Sequence, residues 1–428
     1  MRNTRIRSLL LFILLFQVGF GQFNYSGEIT PNALIRISDA GLIDLPFRLG
    51  NIELNYSTGD FEFKTLTAIE TRWKDAEYSA DMFELREAFV MWYPSFGEVK
   101  LGKMIHAWGA ADGNNPTDNL SPYDFYYMFL SGTDRKIGNL SLSAKGYLGD
   151  WQAELVYTPE HMGNRLPFNE PDFPIEFPFE PSDYLDVDSP GEIGLRVQRA
   201  FDAGDVSLSA LKTHDFAFSP IHIAEVAPHV IMPEFGYRNT NVLGFDFVAF
   251  PGNWTLRGEG ALFSTSTPDS AANALKVFPV EADYFQYVLQ VEYEFANQVT
   301  FMGQILGTQI SNADGLLMNP LDPSQNIALN EDNFIPGLGT PFAMIADQVA
   351  IMSTMVTMFD SALELTGMVM FNLEETGTML NLGSDYSISD GLNVETRMAY
   401  FIGGDEEGNS FKRLEDFSNI SLGLSYSF

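Results

Sequence analysis

Over most of its length the chain alternates apolar and polar residues with a period of two, in blocks close to the ~9–11 residues of a tilted membrane-crossing strand or slightly longer. In YFQYVLQVEYEFA, Phe285, Tyr287, Leu289, Val291, Tyr293 and Phe295 share one face of an extended strand; Gln286, Gln290, Glu292 and Glu294 share the other. FEFKTLTAIETRW sets Phe61, Phe63, Ile69 and Trp73 against Glu62, Lys64, Glu70 and Arg72. NWTLRGEGALF sets Trp254, Leu256 and Leu262 against Arg257 and Glu259. GLNVETRMAYF sets Leu392, Val394, Met398 and Tyr400 against Asn393, Glu395 and Arg397. The pattern predicts an all-β chain. It does not say whether the apolar face looks inward, as in a soluble sandwich, or outward into lipid.

The connections between blocks decide that question. Tight turns are predicted at 57–60, 95–98, 148–150, 202–205, 251–253, 296–298, 359–361 and 389–391. Between them fall mostly longer connections near 38–48, 74–80, 110–138, 161–190, 217–238, 267–283, 312–343 and 404–413, with a short one at 376–378. Short and long ends in alternation mark a transmembrane antiparallel up-and-down β-barrel, with short periplasmic turns and long extracellular loops. Eight turns and nine outer connections join about eighteen strands, with sixteen as the alternative.

Both termini fit a bacterial outer-membrane (Gram-negative) location. Arg2, Arg5 and Arg7 precede an unbroken apolar run, Leu9 to Phe16, and Gly19 and Gly21 end it small-x-small. Residues 1–22 therefore read as a secretory signal peptide and 23–428 as the barrel, which starts too soon for an N-terminal plug domain. The chain closes on NISLGLSYSF, where Ile420, Leu422, Leu424, Tyr426 and Phe428 share one parity. This resembles the C-terminal signature by which the barrel-assembly machinery recognises outer-membrane proteins, which makes Tyr426 and Phe428 the expected assembly signal.

Composition narrows the function. Of 428 residues none is Cys, which excludes a disulfide framework and thiol chemistry. The formal charge is −33, and removing the three signal-peptide Arg makes it −36, the opposite of a nucleic-acid footprint. No Gly-x-Ser-x-Gly, HExxH or phosphate loop is present, so no enzyme and no cofactor is expected. The expected partners are outer-membrane lipids and lipopolysaccharide, the assembly machinery, and small-molecule solutes; monomer and trimer both remain open.

Residues 85–125, LREAFVMWYPSFGEVKLGKMIHAWGAADGNNPTDNLSPYDF, are the most distinctive stretch. Arg86 and Glu87, Gly102 and Lys103, then Trp108, Gly109, Asp112 and Gly113 resemble a porin-like family of outer-membrane proteins of unassigned function. That family carries Trp-Gly-x-x-Asp-Gly and then Asn-Pro-x-Asp; here Ser121 stands before Pro122 and Asp124. The resemblance implies a barrel whose long loop after Trp108 folds inward and narrows the pore. An ordinary surface loop is the competing reading. Constriction and lumen candidates are Trp108, Asp112, Asp118, Asp124, Arg72, Arg257, Glu259, Glu292, Arg397 and Glu395. Charges of both signs along the polar parity suggest a transverse field that favours polar solutes in a passive channel; a pathway for hydrophobic compounds and a non-transport barrel, enzyme or adhesin, are the alternatives. Glu87 and Lys103 fall on the apolar parity, where charge is costly; either they pair as a structural ion pair or a bulge swings that stretch into the lumen. His214, His222 and His229, with Glu225, lie in a Pro-rich run that reads as a polar surface loop, so no metal is assigned. The segment 161–190 reads as extended and solvated. Met368 and Met370 fall on the polar parity, lining the pore or packing against an inserted loop.

Overall fold

Each alternating block hydrogen-bonds to its sequence neighbours, and the ribbon they make closes on itself. The computed structural model describes residues 21–428 apart from 75–82, 176–179, 182, 183, 186, 188, 228, 229, 269–275, 296, 297, 320, 321, 323, 324, 342–345 and 407. Strand β1 comprises Gln22–Ile29 and Asn32–Arg36, and β2 comprises Leu42–Ile43 and Phe47–Thr58. The breaks fall at Pro31 and Pro46, which have no N–H for the ladder. Then follow β3 (Phe61–Thr71), β4 (Phe83–Trp92), β5 (Gly97–Met104), β6 (Asn139–Leu148), β7 (Trp151–Thr158) and β8 (Glu192–Phe201). Next come β9 (Gly204–His214), β10 (Asn239–Ala249), β11 (Trp254–Ser266), β12 (Val280–Phe295) and β13 (Val299–Met318). The last are β14 (Gln348–Met358), β15 (Leu363–Asn372), β16 (Gly377–Ser389), β17 (Leu392–Gly403) and β18 (Asn419–Ser427).

Every neighbouring pair is antiparallel, and β18 returns to β1 with Arg36 opposite Asn419 and Ile29 opposite Tyr426. Closure leaves no sheet edge, the condition for a sheet that crosses lipid. Seven of the predicted tight turns join the strands expected, the turn at 296–298 lies partly outside the described residues, and eighteen is the strand number. The faces are inverted relative to a soluble protein. Leu208 is 64% exposed and Leu262 and Leu289 are 57% exposed, whereas Gln286, Gln290, Gln304 and Glu259 on the opposite parity are no more than 4% exposed. Apolar residues face out and polar residues are buried inside.

The cores lie within the barrel, where loops pack on the wall. One cluster joins Tyr123, Phe125 and Met128 of the β5–β6 loop and Phe173 of the β7–β8 loop to Val288, Leu306, Ile351, Met370 and Met379 on strands. The other joins Trp108 and Leu120 to Val156, Leu211, Phe263 and Tyr284, with Phe334 and Leu338 from the β13–β14 loop.

Two loop expectations change. The first part of 161–190 is not solvated: Asp172 bonds Arg36 at 2.6 Å and Phe173 is buried. Composition missed this because the cations that attract its acids belong to strands far away in sequence. The 217–238 segment is an ordered hairpin, Ser219–Ala227 against Val230–Gly236, joined by Lys276–Val277; its inward Ile221 and Ile223 are buried.

Candidate functional site

The β5–β6 connection turns into the barrel and is held on the far wall. Glu259, on the inner face of β11, accepts from the backbone N–H groups of Ala110 and Ala111, both at 2.6 Å, from Asn115 Nδ2 at 2.7 Å and from Thr117 Oγ1 at 2.8 Å. Gln290 of β12 accepts the Asp112 N–H at 2.9 Å and donates to Asp112 Oδ2 at 2.7 Å. Gln304 of β13 accepts from Asn114 Nδ2 at 2.9 Å. Arg257 pairs with Asp112 and lies 3.7 Å from Glu292. Gly109 makes the approach possible: its φ is +112°, and a Cβ there would sit 2.6 Å from the Glu259 carboxylate.

Trp108 wedges the entering chain. Its N–H bonds Asp118 Oδ1 at 3.1 Å and its indole donates to Glu154 Oε2 at 3.2 Å. Thus Trp108, Gly109 and Asp112 of the sequence motif each have a physical task at the loop's point of attachment.

The returning half is fixed by buried charge. Asp118 pairs with the fully enclosed Lys136 at 2.8 Å. Asp124 accepts from Arg165 at 3.0 Å, and the same guanidinium bonds Glu70 at 2.8 Å, tying the β5–β6 loop to the β7–β8 loop and to β3. Tyr127 Oη donates to Glu70 at 2.6 Å while the Arg48 guanidinium covers its ring at 3.9 Å. Burial raises the Asp124 carboxyl to about 6 against the pull of Arg165 and Arg48. Burial lowers His106, which contacts Ser141 Oγ at 2.8 Å, to about 4, so its imidazole is neutral at pH 7.

Around the wall, positive charges are neutralised locally. Lys64 meets Glu53 at 3.0 Å, Arg72 meets Glu170 at 3.0 Å, and Lys145 lies 3.6 Å from Glu98. Arg196 meets Asp246 at 2.8 Å, and Arg397 meets Asp385 at 3.1 Å and Glu395 at 3.7 Å. The expected lumenal cations are present, paired with carboxylates of neighbouring strands or, for Arg72 and Arg257, of the loops.

No protein-family model matches the sequence, and no curated protein matches it. Solved structures do. The chain is similar to OccK11 (OpdR) of Pseudomonas aeruginosa, with TM-score 0.53 and 12% identity over 95% of this chain and 96% of that one. It is similar to a BenF-like porin from Pseudomonas fluorescens Pf-5, with TM-score 0.52 and 11% identity over 96% and 98%. For the outer membrane protein opdK of Pseudomonas aeruginosa the values are 0.51 and 11% over 95% and 99%. The chain folds as a porin-like outer-membrane barrel.

Within this barrel the Glu87–Lys103 pairing is replaced by another. Register places Lys103 opposite Ala88 and Leu140, on the outward parity of Leu101. A bulge between the β3 and β4 partners frees Arg86 and turns Glu87 to the lumenal side, where it lies 3.8 Å from Lys64 and accepts the Ile105 N–H at 3.0 Å. The bulge alternative holds because Lys64 and a free loop N–H lie within its reach. Met370 shares a buried cluster with Phe125 and Met128 and Met368 packs against that cluster, so these methionines pack against the inserted loop.

Sequence reasoning named Glu259 as lumenal without seeing it as the loop's anchor. It placed Gln290 and Glu70 on the polar face without a role, and it did not name Gln304 or Arg165. Gln290 and Gln304 were findable: they are uncharged polar residues on the inner parity, and the β12–β13 register sets them opposite each other. Of the expected histidine group, His222 pairs with Glu234 at 2.5 Å and His229 lies outside the described residues. His214 instead meets His161 and Glu192.

Proposed function

We propose that this protein is an outer-membrane channel through which small polar solutes diffuse passively, in a lumen narrowed by loop 110–138. The observation that carries the reading is the bond set between that loop and Glu259, Gln290 and Gln304, which ties it to a polar inner wall. A loop fixed there leaves solutes only the remaining cross-section, bordered by charged pairs such as Arg257–Asp112. We also read residues 1–22 as the export signal and segment 85–125 as the mark of the porin-like family it resembles.

Refolded protein in planar bilayers should give discrete conductance steps. A variant lacking 112–117 that keeps the heat-modifiable mobility of a folded barrel should conduct more per step. Silence from the folded parent would overturn the channel reading. Steps of equal size in parent and variant would overturn the narrowing alone.

A further inference from the structure

We propose that His161, Glu192 and His214 form a binding site for a divalent transition-metal ion of the zinc class, which fastens loop 159–191 to the barrel rim. The three residues come from the β7–β8 loop, the first residue of β8 and the last of β9, all at the long-loop end. His161 Nδ1 lies 2.9 Å and His214 Nδ1 3.2 Å from the same oxygen, Glu192 Oε1, and all three ligand atoms fall within 4.8 Å of one another. A tetrahedral zinc ion about 2.0–2.1 Å from each ligand holds neighbouring ligand atoms about 3.3 Å apart. Both histidine-to-glutamate distances are close to that value without a metal.

Charge points the same way. The side chains of His161 and Glu192 are 3% exposed and that of His214 6%. Among the described residues Glu192 has no Lys or Arg ion-pair partner, and a buried carboxylate without a cation is costly. By contrast the buried carboxylate of Asp215, next in sequence to His214, has Arg238 at 3.5 Å. His161 Nε2 has no hydrogen-bond partner, so its ring is positioned by Glu192 and by edge-on contact with Tyr237 at 4.3 Å. Two imidazoles and one carboxylate suit zinc and leave a fourth position for water. They suit calcium poorly, since it takes six to eight oxygens.

The test uses full-length barrel, stripped with EDTA, refolded in detergent and titrated with zinc chloride against a chromophoric chelator. One zinc per chain is expected, with Kd at least tenfold weaker in Glu192→Gln and in His161→Gln. Zinc should also raise the melting temperature of the parent and not of Glu192→Gln, since binding to the folded state alone stabilises it. Each variant is scored only if it keeps folded, heat-modifiable mobility; X-ray absorption on the loaded parent should show two imidazole ligands. A folded parent that binds no zinc overturns the proposal. So does equal binding by the parent and a Glu192→Gln/His214→Gln double variant, or calcium binding as tight as zinc.

Discussion

Glu259 shows how one side chain can decide where a loop of more than thirty residues lies. Its carboxylate receives four donors from the β5–β6 loop, and hydrogen bonds to a charged acceptor are worth roughly 1.5–3 kcal/mol each. Glu259→Ala should therefore release the loop, seen as larger and noisier single-channel steps. Glu259→Gln keeps an oxygen for the backbone donors and an amide for Thr117, and should stay near the parent. Equal behaviour of the two variants would remove the anchor role. Two other buried residues give the loop a pH dependence of opposite signs. His106 is lowered from 6.5 to about 4, so its contribution is whole above pH 6.5 and is lost as pH falls towards 4. Asp124 is raised from 3.8 to about 6, so its contribution is whole below pH 3.8 and is lost as pH rises through 6. Each amounts to roughly 3 kcal/mol, and between pH 6.5 and 4 they offset each other. Relative to the parent, His106→Gln should gain heat resistance on going from pH 7 to 4.5, and Asp124→Asn should lose it. Heat-modifiable mobility at both pH values checks this; parallel slopes in the two variants would contradict it.

At the scale of the strand, β18 shows why the last residue matters. Phe428 N–H bonds Gly27 O at 2.9 Å and Gly27 N–H bonds Phe428 O at 3.0 Å, so the terminal residue extends the closing ladder. Its ring faces out, 6.3 Å from that of Tyr426, as part of an aromatic rim. Deleting Phe428 removes two ladder bonds and one rim ring, at most ~1.5–3 kcal/mol of burial. Barrel refolded in detergent should melt close to the parent, while the amount assembled in cells should fall and periplasmic aggregate should rise. Normal assembly of the truncated chain would make the terminal aromatic incidental. The strands were legible because lipid outside and water inside impose one strict rule on every second residue, and the turns at 57–60 or 389–391 carry their own Gly and Asp signals. The loop interior was less legible. Arg165–Glu70, Arg36–Asp172 and the His161–Glu192–His214 group join residues from 22 to 136 positions apart, and no local pattern encodes such a meeting. The side that Glu87 faces stayed open between two readings, because a bulge such as the one beside Arg86 leaves no period-two trace.

For the whole molecule the deciding quantity is charge. The sequence carries −33, or −36 without the three Arg of the first seven residues. The cations on the inner wall are each engaged: Lys64 with Glu53, Lys145 with Glu98, Arg196 with Asp246, Arg257 with Asp112 and Arg397 with Asp385. Pairing cancels the positive side of the lumen locally and leaves the excess carboxylates to set the field over the whole barrel. A negative potential in a low-dielectric wall raises the local concentration of cations. In a potassium chloride gradient the reversal potential should have the sign of potassium preference. Raising salt should shrink that preference, because the Debye length falls from ≈10 Å at 0.1 M to 3 Å at 1 M. Arg257→Gln should strengthen it further, since Asp112 and Glu292 then lose their common partner. A reversal potential of chloride sign in the parent would mean that the paired arginines, and not the net charge, govern what passes.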